Sequence, residues 1–264
     1  MNTPFPTVEF TLAIPRGGCP VACAMCPQDV LAAAYKGKPL MDWDDFRSML
    51  AELPPEVRVT FSGFCEPSIH PKFVDMVLFA AKTHPVSVFT TAVGLAEADV
   101  DKLATVKYST WPNGGFCLHL PDTAGYTSIP LSAGYLAKLQ RFRAVKIEGF
   151  WTIVVGELAK ELSDLFPDTR RLTIQWRSGN LPADRVPGVE AAGNRGESRT
   201  CGCQEKLYHN VVTPDGEVYL CCMDFGLKHR LGSLRGRRYG DIIPAPDKPF
   251  GLCSLCENGI EVKS

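Results

Sequence analysis

Residues 17–29 read GGCPVACAMCPQD and place Cys19, Cys23 and Cys26 in the spacing C-x-x-x-C-x-x-C, directly after the apolar run VEFTLAI at 8–14. Structural zinc sites usually take four ligands from two C-x-x-C pairs, so three cysteines on one short loop make a poor zinc site. A four-iron, four-sulfur cluster has four corners, and three thiolates leave one iron open to a ligand that is not protein. The loop therefore favours a cluster with an open iron, with a zinc site or a redox-active dithiol as the alternative.

The composition excludes several classes of protein. The chain has 264 residues, of which 45% are hydrophobic, enough to bury a sizeable core. Its formal net charge of −1 provides no basic field, so nucleic acid is not an expected partner. The first residues lack the charged and apolar regions of a signal peptide, and no apolar run reaches the roughly 18 residues of a membrane span. We expect a cytoplasmic protein that does not bind a membrane.

Eleven cysteines fall into one group at 19–26 and another at 201–256, apart from Cys65 and Cys117. Secreted disulfide scaffolds are normally shorter than about 100 residues and spread their cysteines through loops. In a reducing cytoplasm, closely spaced thiolates bind soft metal centres instead of oxidising to each other. The cysteines therefore indicate metal or cluster ligation.

Apolar, β-rich runs alternate with helix-compatible segments over the first two thirds of the chain. The predicted strands are 8–14, 57–63, 86–91, 116–120, 145–155 and 171–176, and the predicted helices are 42–52, 72–83, 96–104, 132–142 and 157–165. This rhythm predicts an α/β fold with a parallel sheet and crossover helices. Periodicity alone does not separate an open doubly wound sheet from a partial barrel.

The sequence changes character after Trp176. A stretch rich in Gly, Pro, Asn and Arg has no hydrophobic period and predicts a linker or ordered loop, so we divide the chain into domains at 1–177 and 178–264. Two β-rich arms around Pro214-Asp215-Gly216 predict a hairpin. The six cysteines of this second domain are Cys201, Cys203, Cys221, Cys222, Cys253 and Cys256.

A three-cysteine loop after the first strand of a βα array resembles the radical S-adenosylmethionine (SAM) family. The resemblance implies a partial (β/α)6 TIM-like barrel and a [4Fe–4S] cluster held by Cys19, Cys23 and Cys26. It also implies that the amino and carboxylate groups of SAM chelate the open iron. Reductive cleavage of SAM then yields a 5′-deoxyadenosyl radical that abstracts a substrate hydrogen. An electron donor of the flavodoxin or ferredoxin type is implied as a partner.

Two further segments support this resemblance. FSGFCEPSIHP at 61–71 is similar to the family's Gly-Gly-Glu segment, which holds the amino group of SAM; Gly63 and Glu66 match, and Cys65 stands where glycine is usual. TTAVGL at 90–95 stands where relatives often have Thr-Asn-Gly, and only the threonine is kept. By this resemblance Gly63, Glu66 and Thr91 bind the cofactor.

The tail resembles the auxiliary-cluster extension called SPASM, or its shorter form, twitch. Members carry a cysteine, then Gly-x-x-x-x-Cys on a hairpin, then a late C-x-x-C. The residues that match are Cys203, Gly216, Cys221, Cys253 and Cys256. The resemblance implies one fully ligated auxiliary [4Fe–4S] cluster, with Cys201 and Cys222 as spares or substitutes. A four-cysteine structural zinc ribbon is the alternative.

A fully ligated auxiliary cluster accepts an electron from a substrate radical, which makes the net reaction a two-electron oxidation. We therefore expect a radical SAM oxidoreductase that oxidises a small polar substrate, as relatives that oxidise an alcohol to a ketone do. One alternative is a maturase that cross-links, epimerises or oxidises a peptide or protein. A second is a zinc-binding interaction module without enzymatic activity.

Substrate residues are expected at the carboxyl ends of strands, where βα folds place their chemistry. His119 ends the fourth predicted strand and is the candidate to take the proton of an oxidised alcohol. Arg177 follows the sixth and is the candidate to hold a carboxylate or phosphate of the substrate. The alternative is that His119 is a packing residue or a cofactor contact and that Arg177 ties the barrel to the linker. The basic stretch at 228–238 is either a donor-binding surface or a solvated face.

Overall fold

A computed structural model describes residues 7–110, 114–172, 178, 180–181, 209–242, 250–254 and 256, and the backbone of 199–200 and 260–261. The first part of the chain alternates strands and helices. Its strands are β1 (Thr7–Phe10), β2 (Arg58–Phe61), β3 (Val86–Thr90), β4 (Phe116–His119), β5 (Phe150–Val154) and β6 (Arg170–Arg171). Its helices are α1 (Gln28–Ala34), α2 (Trp43–Ala51), α3 (Phe73–Ala80), α4 (Glu97–Leu103), α5 (Ala133–Ala144) and α6 (Lys160–Leu165).

The strand order supports a partial barrel. Strands β1 to β6 are neighbours in chain order and every pair between them is parallel. A doubly wound sheet reverses its strand order at a switch point, whereas a barrel adds each new strand on the same side. The order therefore agrees with the (β/α)6 arrangement that the resemblance implies, and the predicted α/β fold class is confirmed.

The two faces of the sheet differ in chemistry. Val8, Val59 and Val86 are register partners, and they pack in the main hydrophobic core with residues of α2 and α3 such as Phe46 and Phe73. Side chains alternate between faces along a strand, so the residues between these valines point away from the helices. We call this opposite surface the inner face. The inner face lines the interior of the partial barrel.

The predicted hairpin forms, and it joins the same sheet. The tail contains β7 (Arg199–Thr200), β8 (His209–Val212), β9 (Glu217–Tyr219), β10 (Arg230–Ser233), α7 (Gly251–Ser254) and β11 (Ile260–Glu261). β8 and β9 are antiparallel around the predicted turn, where Gly216 has φ +84°. β8 also pairs in parallel with β1, so the sheet continues across the predicted boundary at 177/178. The division into two domains stays a prediction.

Contacts of Tyr239 and Arg235 hold the tail together and join it to the barrel. Tyr239 donates its hydroxyl to Asn210 Oδ1 at 2.6 Å and its backbone N–H to the Glu52 carbonyl at 3.1 Å. Arg235 Nη2 lies 2.6 Å from Asp45 Oδ2 at the start of α2. Within the described part of the chain, no helix is both long enough and apolar enough to span a bilayer.

The observed elements differ from the predicted ones at two places. The predicted strand at 145–155 begins only at Phe150, because α5 runs on to Ala144 and Gly149, with φ +72°, turns the chain into β5. Helix α1 was not predicted from the sequence. It has seven residues and buries only Leu31, which is too little for a hydrophobic period to show. Most of the sixth predicted strand, at 173–176, lies outside the described residues.

Candidate functional site

The three-cysteine loop leaves the carboxyl side of β1 and is held by the loop after β4. Ala22 adopts φ +47°, a left-handed conformation that costs an L-residue about 1–2 kcal/mol. The N–H of Ala24 donates to the Tyr126 carbonyl at 2.7 Å, and Ser128 N–H donates to the Val21 carbonyl at 2.9 Å. These contacts compensate the strained backbone and fix the loop. Its three cysteines, Cys19, Cys23 and Cys26, are all partly exposed.

Gln28, the first residue of α1, clamps this loop. Its Oε1 accepts the Cys19 N–H at 2.9 Å, while Nε2 donates to Cys26 Sγ at 3.1 Å. Nε2 also donates to the Phe64 carbonyl at 2.6 Å. One amide therefore joins two of the cysteines to the segment after β2. The sequence analysis missed Gln28, and its proximity to Cys26 is the only local signal that could have found it.

The segment after β2 contacts the cysteine loop through sulfur. Glu66 N–H donates to Cys19 Sγ at 3.4 Å, and the Cys65 thiol also hydrogen-bonds to that sulfur. The Cys65 bond, helped by the Glu66 N–H, outweighs burial and lowers the pKa of Cys19 to about 7. The same bond, together with burial, raises the pKa of Cys65. Cys65 therefore supports Cys19 as a thiolate from the position where relatives have glycine.

Glu66 and Thr91 are brought together at the ends of β2 and β3. Glu66 Oε2 accepts the Thr91 N–H at 2.7 Å and the Thr91 hydroxyl at 2.8 Å. Its Oε1 accepts the Ser68 N–H at 2.9 Å and also the Thr90 hydroxyl. Both carboxylate oxygens are thus bound by protein donors, and only 7% of Glu66 is exposed. The Glu66 side chain therefore positions the segment after β2 through contacts with the protein itself.

Glycine is required at position 63. Gly63 has φ +87°, and a Cβ there would lie 2.1 Å from Thr11 Oγ1. That hydroxyl oxygen is needed because it accepts the Phe64 N–H at 3.1 Å. The matching glycine of the motif is therefore explained by a close approach to Thr11, the residue after β1, as well as by its backbone angle.

Two α5 side chains support the loop after β3, and the sequence analysis missed both. The Tyr135 hydroxyl donates to the Thr91 carbonyl at 2.8 Å, and Lys138 Nζ donates to the Ala92 carbonyl at 2.6 Å. Both side chains are buried. Burial lowers the pKa of Lys138. No local pattern marks them, because the contacts join residues more than 40 positions apart.

The predicted substrate residues are only partly described. His119 ends β4 opposite Ile153 and, two residues after Cys117, shares the inner face with it. Arg177 lies outside the described residues. Asp122 accepts N–H groups of Tyr126 and Thr127 at 2.9 and 3.1 Å, so it builds the loop that holds the cysteines. The roles of His119 and Arg177 stay predictions.

In the tail, the structure separates two adjacent cysteines. Cys221 and Cys253 are buried in one apolar cluster with Phe250. Cys222 instead packs in a cluster with Cys26. Cys256 is placed next to Cys253 by its N–H, which donates to the Cys253 carbonyl at 3.2 Å. Cys201 and Cys203 lie outside the described residues.

No three Cys, His, Asp or Glu side chains converge on a single-ion site in the part of the chain that the structure describes. A cubane cluster does not require such convergence, since each thiolate binds a different iron.

Comparison with known proteins gives a family match for the tail and structural matches that cover most of the chain. Residues 201–256 match SPASM, an iron–sulfur cluster-binding domain. The chain is similar to BtrN in complex with AdoMet and 2-DOIA, at 19% identity and a TM-score of 0.54, over 92% of this chain and 83% of BtrN. It is similar to anSMEcpe with bound AdoMet, at 17% identity and a TM-score of 0.57, over 96% of this chain and 84% of that one.

A third similar structure is Streptococcus suis SuiB bound to precursor peptide SuiA, at 11% identity and a TM-score of 0.59, over 90% of this chain and 64% of SuiB. No curated protein sequence matches the chain. The predicted resemblance is confirmed: the chain has the fold of radical SAM enzymes and carries a SPASM iron–sulfur cluster-binding domain at its C-terminal end.

Proposed function

We propose that the protein is a radical SAM enzyme in which Cys19, Cys23 and Cys26 hold a [4Fe–4S] cluster. The observation that carries this proposal is the contact between Glu66 N–H and Cys19 Sγ, since it joins the predicted cofactor segment to the predicted cluster loop. Glu66 also binds Thr91, so three separate motifs meet at one place.

The residues present fit these cofactors. Cys19 has a pKa of about 7 and supplies a thiolate near neutral pH, and Cys26 Sγ accepts a hydrogen bond from Gln28. Main-chain atoms from Gly63 to Glu66 and the loop at Thr91 would hold the methionyl part of SAM, because the Glu66 carboxylate is already used by the protein. With both clusters and SAM bound, their chemistry is abstraction of a substrate hydrogen atom and acceptance of the remaining electron.

For the auxiliary cluster we propose Cys203, Cys221, Cys253 and Cys256 as ligands. The shared burial of Cys221 and Cys253 supports this set, and the packing of Cys222 against a different apolar cluster argues against Cys222 as the hairpin ligand. A full SPASM domain with two clusters needs more cysteines than the six that the tail contains. One auxiliary cluster is therefore the expected content.

We infer that the reaction is oxidation of a small polar substrate, with His119 taking the hydroxyl proton and Arg177 holding an anionic group. A single auxiliary cluster supports a net two-electron oxidation. The inner-face position of His119 supports its role, because it points into the barrel interior. An electron donor of the flavodoxin or ferredoxin type would supply the first cluster.

A peptide or protein maturase is the second candidate. It is favoured by two similar structures, anSMEcpe with bound AdoMet and Cp18Cys peptide and SuiB with its precursor peptide. The two candidates are separated by measuring whether SAM cleavage is stimulated. A candidate peptide should stimulate it if the enzyme is a maturase, and a small metabolite should do so if the substrate is small.

The test is iron and sulfide content after anaerobic reconstitution, followed by dithionite and SAM with 5′-deoxyadenosine as the readout. We expect about eight irons per chain and formation of the nucleoside. Replacing Cys19, Cys23 and Cys26 with alanine should abolish cleavage and leave about four irons. Cys117→Ala is the matched control, since Cys117 is buried and is not a proposed ligand.

Cleavage that persists in the triple variant would refute the assignment of the cysteine loop. Zinc without iron in the wild-type protein would instead establish the non-enzymatic zinc-binding module. Four irons in the wild-type protein would remove the auxiliary acceptor and with it the argument for a net oxidation.

A further inference from the structure

The inner face carries neighbouring buried polar side chains on β1, β2 and β3. Glu9 pairs in register with Thr60, and Thr60 pairs with Ser87, so the three point to the same face. Arg58 shares that face because it lies two residues before Thr60 on β2. Glu9 is 6% exposed, Arg58 5%, and Thr60 and Ser87 are fully buried. We call these four residues the inner polar set.

Several atoms of the inner polar set have no hydrogen-bond partner among the described residues. They are Oε2 of Glu9, Nε and Nη1 of Arg58, and the hydroxyl oxygens of Thr60 and Ser87. A buried polar group without a partner costs about 1–3 kcal/mol, and a charged group costs more. Four adjacent side chains on one face therefore carry donors and acceptors that no described protein group satisfies.

Glu9 is prepared to act as an anion. Ser62 Oγ donates to Glu9 Oε1 at 2.9 Å, and His209 Nδ1 lies 3.3 Å from the same oxygen. Burial works to raise the pKa of Glu9, but the His209 hydrogen bond and charge, with Ser62 and Arg58, outweigh it and hold that pKa below its usual value. The carboxylate is therefore charged at neutral pH, with Oε2 left for a ligand.

The position of the inner polar set ties it to the reaction site. Ser62, which contacts Glu9, is followed directly by Gly63 of the proposed cofactor segment. Adjacent strands are about 4.8 Å apart and residues two apart on a strand about 7 Å apart, so the set spans roughly 10 Å by 7 Å. One molecule of amino-acid size is long enough to reach all four residues.

We propose that the inner polar set binds a zwitterionic small-molecule substrate, with the ammonium group on Glu9 and the carboxylate on Arg58, Thr60 and Ser87. The charges are complementary: Glu9 offers a free anionic oxygen, and Arg58 offers free cationic N–H groups. This inference rests on the proposed radical SAM function, because it names the substrate class of the same barrel interior.

The test is calorimetric binding of three probes to the reconstituted full chain saturated with SAM and without dithionite, so that the open iron is occupied and no turnover occurs. The probes are L-serine, with both charged groups, ethanolamine, with the ammonium group only, and lactate, with the carboxylate only. We expect L-serine to bind at least tenfold more tightly than either single-charge probe. Arg58→Met and Glu9→Gln should each weaken L-serine binding at least tenfold. Arg47→Met, on the outer surface of α2, is the matched control and should leave binding unchanged.

A second readout separates a ligand site from a structural role. The double variant Glu9→Gln with Arg58→Met should leave the unfolding temperature unchanged or raise it, because both interacting buried charges are removed together. A lower unfolding temperature with unchanged L-serine binding would show that Glu9 and Arg58 are structural and overturn the proposal. Absence of L-serine binding in the millimolar range would overturn it as well, and would leave ordered water as the occupant of the set.

Failure of this proposal is distinguishable from failure of the proposed function. SAM cleavage with dithionite is measured on the same preparations. Intact cleavage without L-serine binding overturns the substrate class alone. L-serine binding without cleavage in the reconstituted enzyme supports the inner polar set as a site and overturns the radical chemistry.

Discussion

At the scale of single residues, the site depends on side chains that join its motifs. Gln28 is the clearest case, since one amide contacts Cys19, Cys26 and Phe64. A carboxylate of the same size could accept the Cys19 N–H but could not donate to the other two. Its negative charge would also lie beside the cysteine sulfurs.

We therefore expect Gln28→Glu to lower the reduction potential of the first cluster and the iron retained per chain, because an anion near the cluster disfavours the added electron. Potentials are measured by redox titration followed with electron paramagnetic resonance. Gln140→Ala, on the exposed face of α5, is a control for glutamine loss. An unchanged potential and iron content in Gln28→Glu would show that the clamp does not act on the cluster.

At Gly63, the cost of a side chain at positive φ can be separated from the cost of a close contact. Gly63→Ala combines a positive φ with a contact of 2.1 Å to Thr11 Oγ1, whereas Gly125→Ala has φ +74° and open space around its Cβ. We expect Gly125→Ala to lower the free energy of unfolding by about 1 kcal/mol. Gly63→Ala should cost clearly more in urea denaturation. Equal losses would mean that β1 moves to accommodate the new methyl group.

At the scale of elements, the regular parts of the barrel are predictable from sequence and their connections are not. β2 to β5 lie within the predicted strands and β1 overlaps its own, because runs of apolar β-branched residues favour strands. α1 escapes detection because its seven residues have little buried surface. The contacts of Tyr135 and Lys138 are missed because they depend on α5 packing across the loop after β3.

The same limit applies to the candidate site. Local motifs predict the cysteines, Gly63, Glu66 and Thr91 as site residues, and the structure brings Glu66, Thr91 and Cys19 together. The choice between Cys221 and Cys222 could not be made from adjacent positions in a sequence. It requires the direction in which each side chain leaves the end of β9, and the two pack in different clusters.

The tail makes a buried side-chain contact within itself, between Tyr239 and Asn210, and an exposed contact with the barrel, between Arg235 and Asp45; these two should differ in strength. Tyr239→Phe removes the donor to Asn210 Oδ1, a buried acceptor, and we expect a loss of about 1–3 kcal/mol in the free energy of unfolding. Arg235→Ala removes a surface ion pair with Asp45 and should cost less than about 1 kcal/mol. Denaturant titrations of both variants make the comparison, and the reverse order would contradict it.

At the scale of the whole molecule, one continuous sheet links the barrel to the cluster-binding tail. β8 pairs with β1 and begins with His209, whose ring contacts Glu9 on β1. A residue of the tail thereby helps to set the charge of a group on the inner face. Movement of the tail would alter the barrel interior, so the two parts are expected to unfold together.

The Glu9–His209 contact predicts how global stability depends on pH. The pKa of Glu9 is lower in the folded chain than in the unfolded one, so its contribution is fully present above the unfolded value and is lost as the pH falls through the folded value. Glutamine has no ionisable group, so Glu9→Gln should remove this part of the dependence of the free energy of unfolding on pH. We expect the wild-type free energy of unfolding to fall more steeply than that of Glu9→Gln between neutral pH and pH values below about 4. Urea titrations across that range measure both slopes. Parallel slopes would show that the carboxylate is not stabilised by its partners, and His209 would then have no electrostatic role in joining the tail to the barrel.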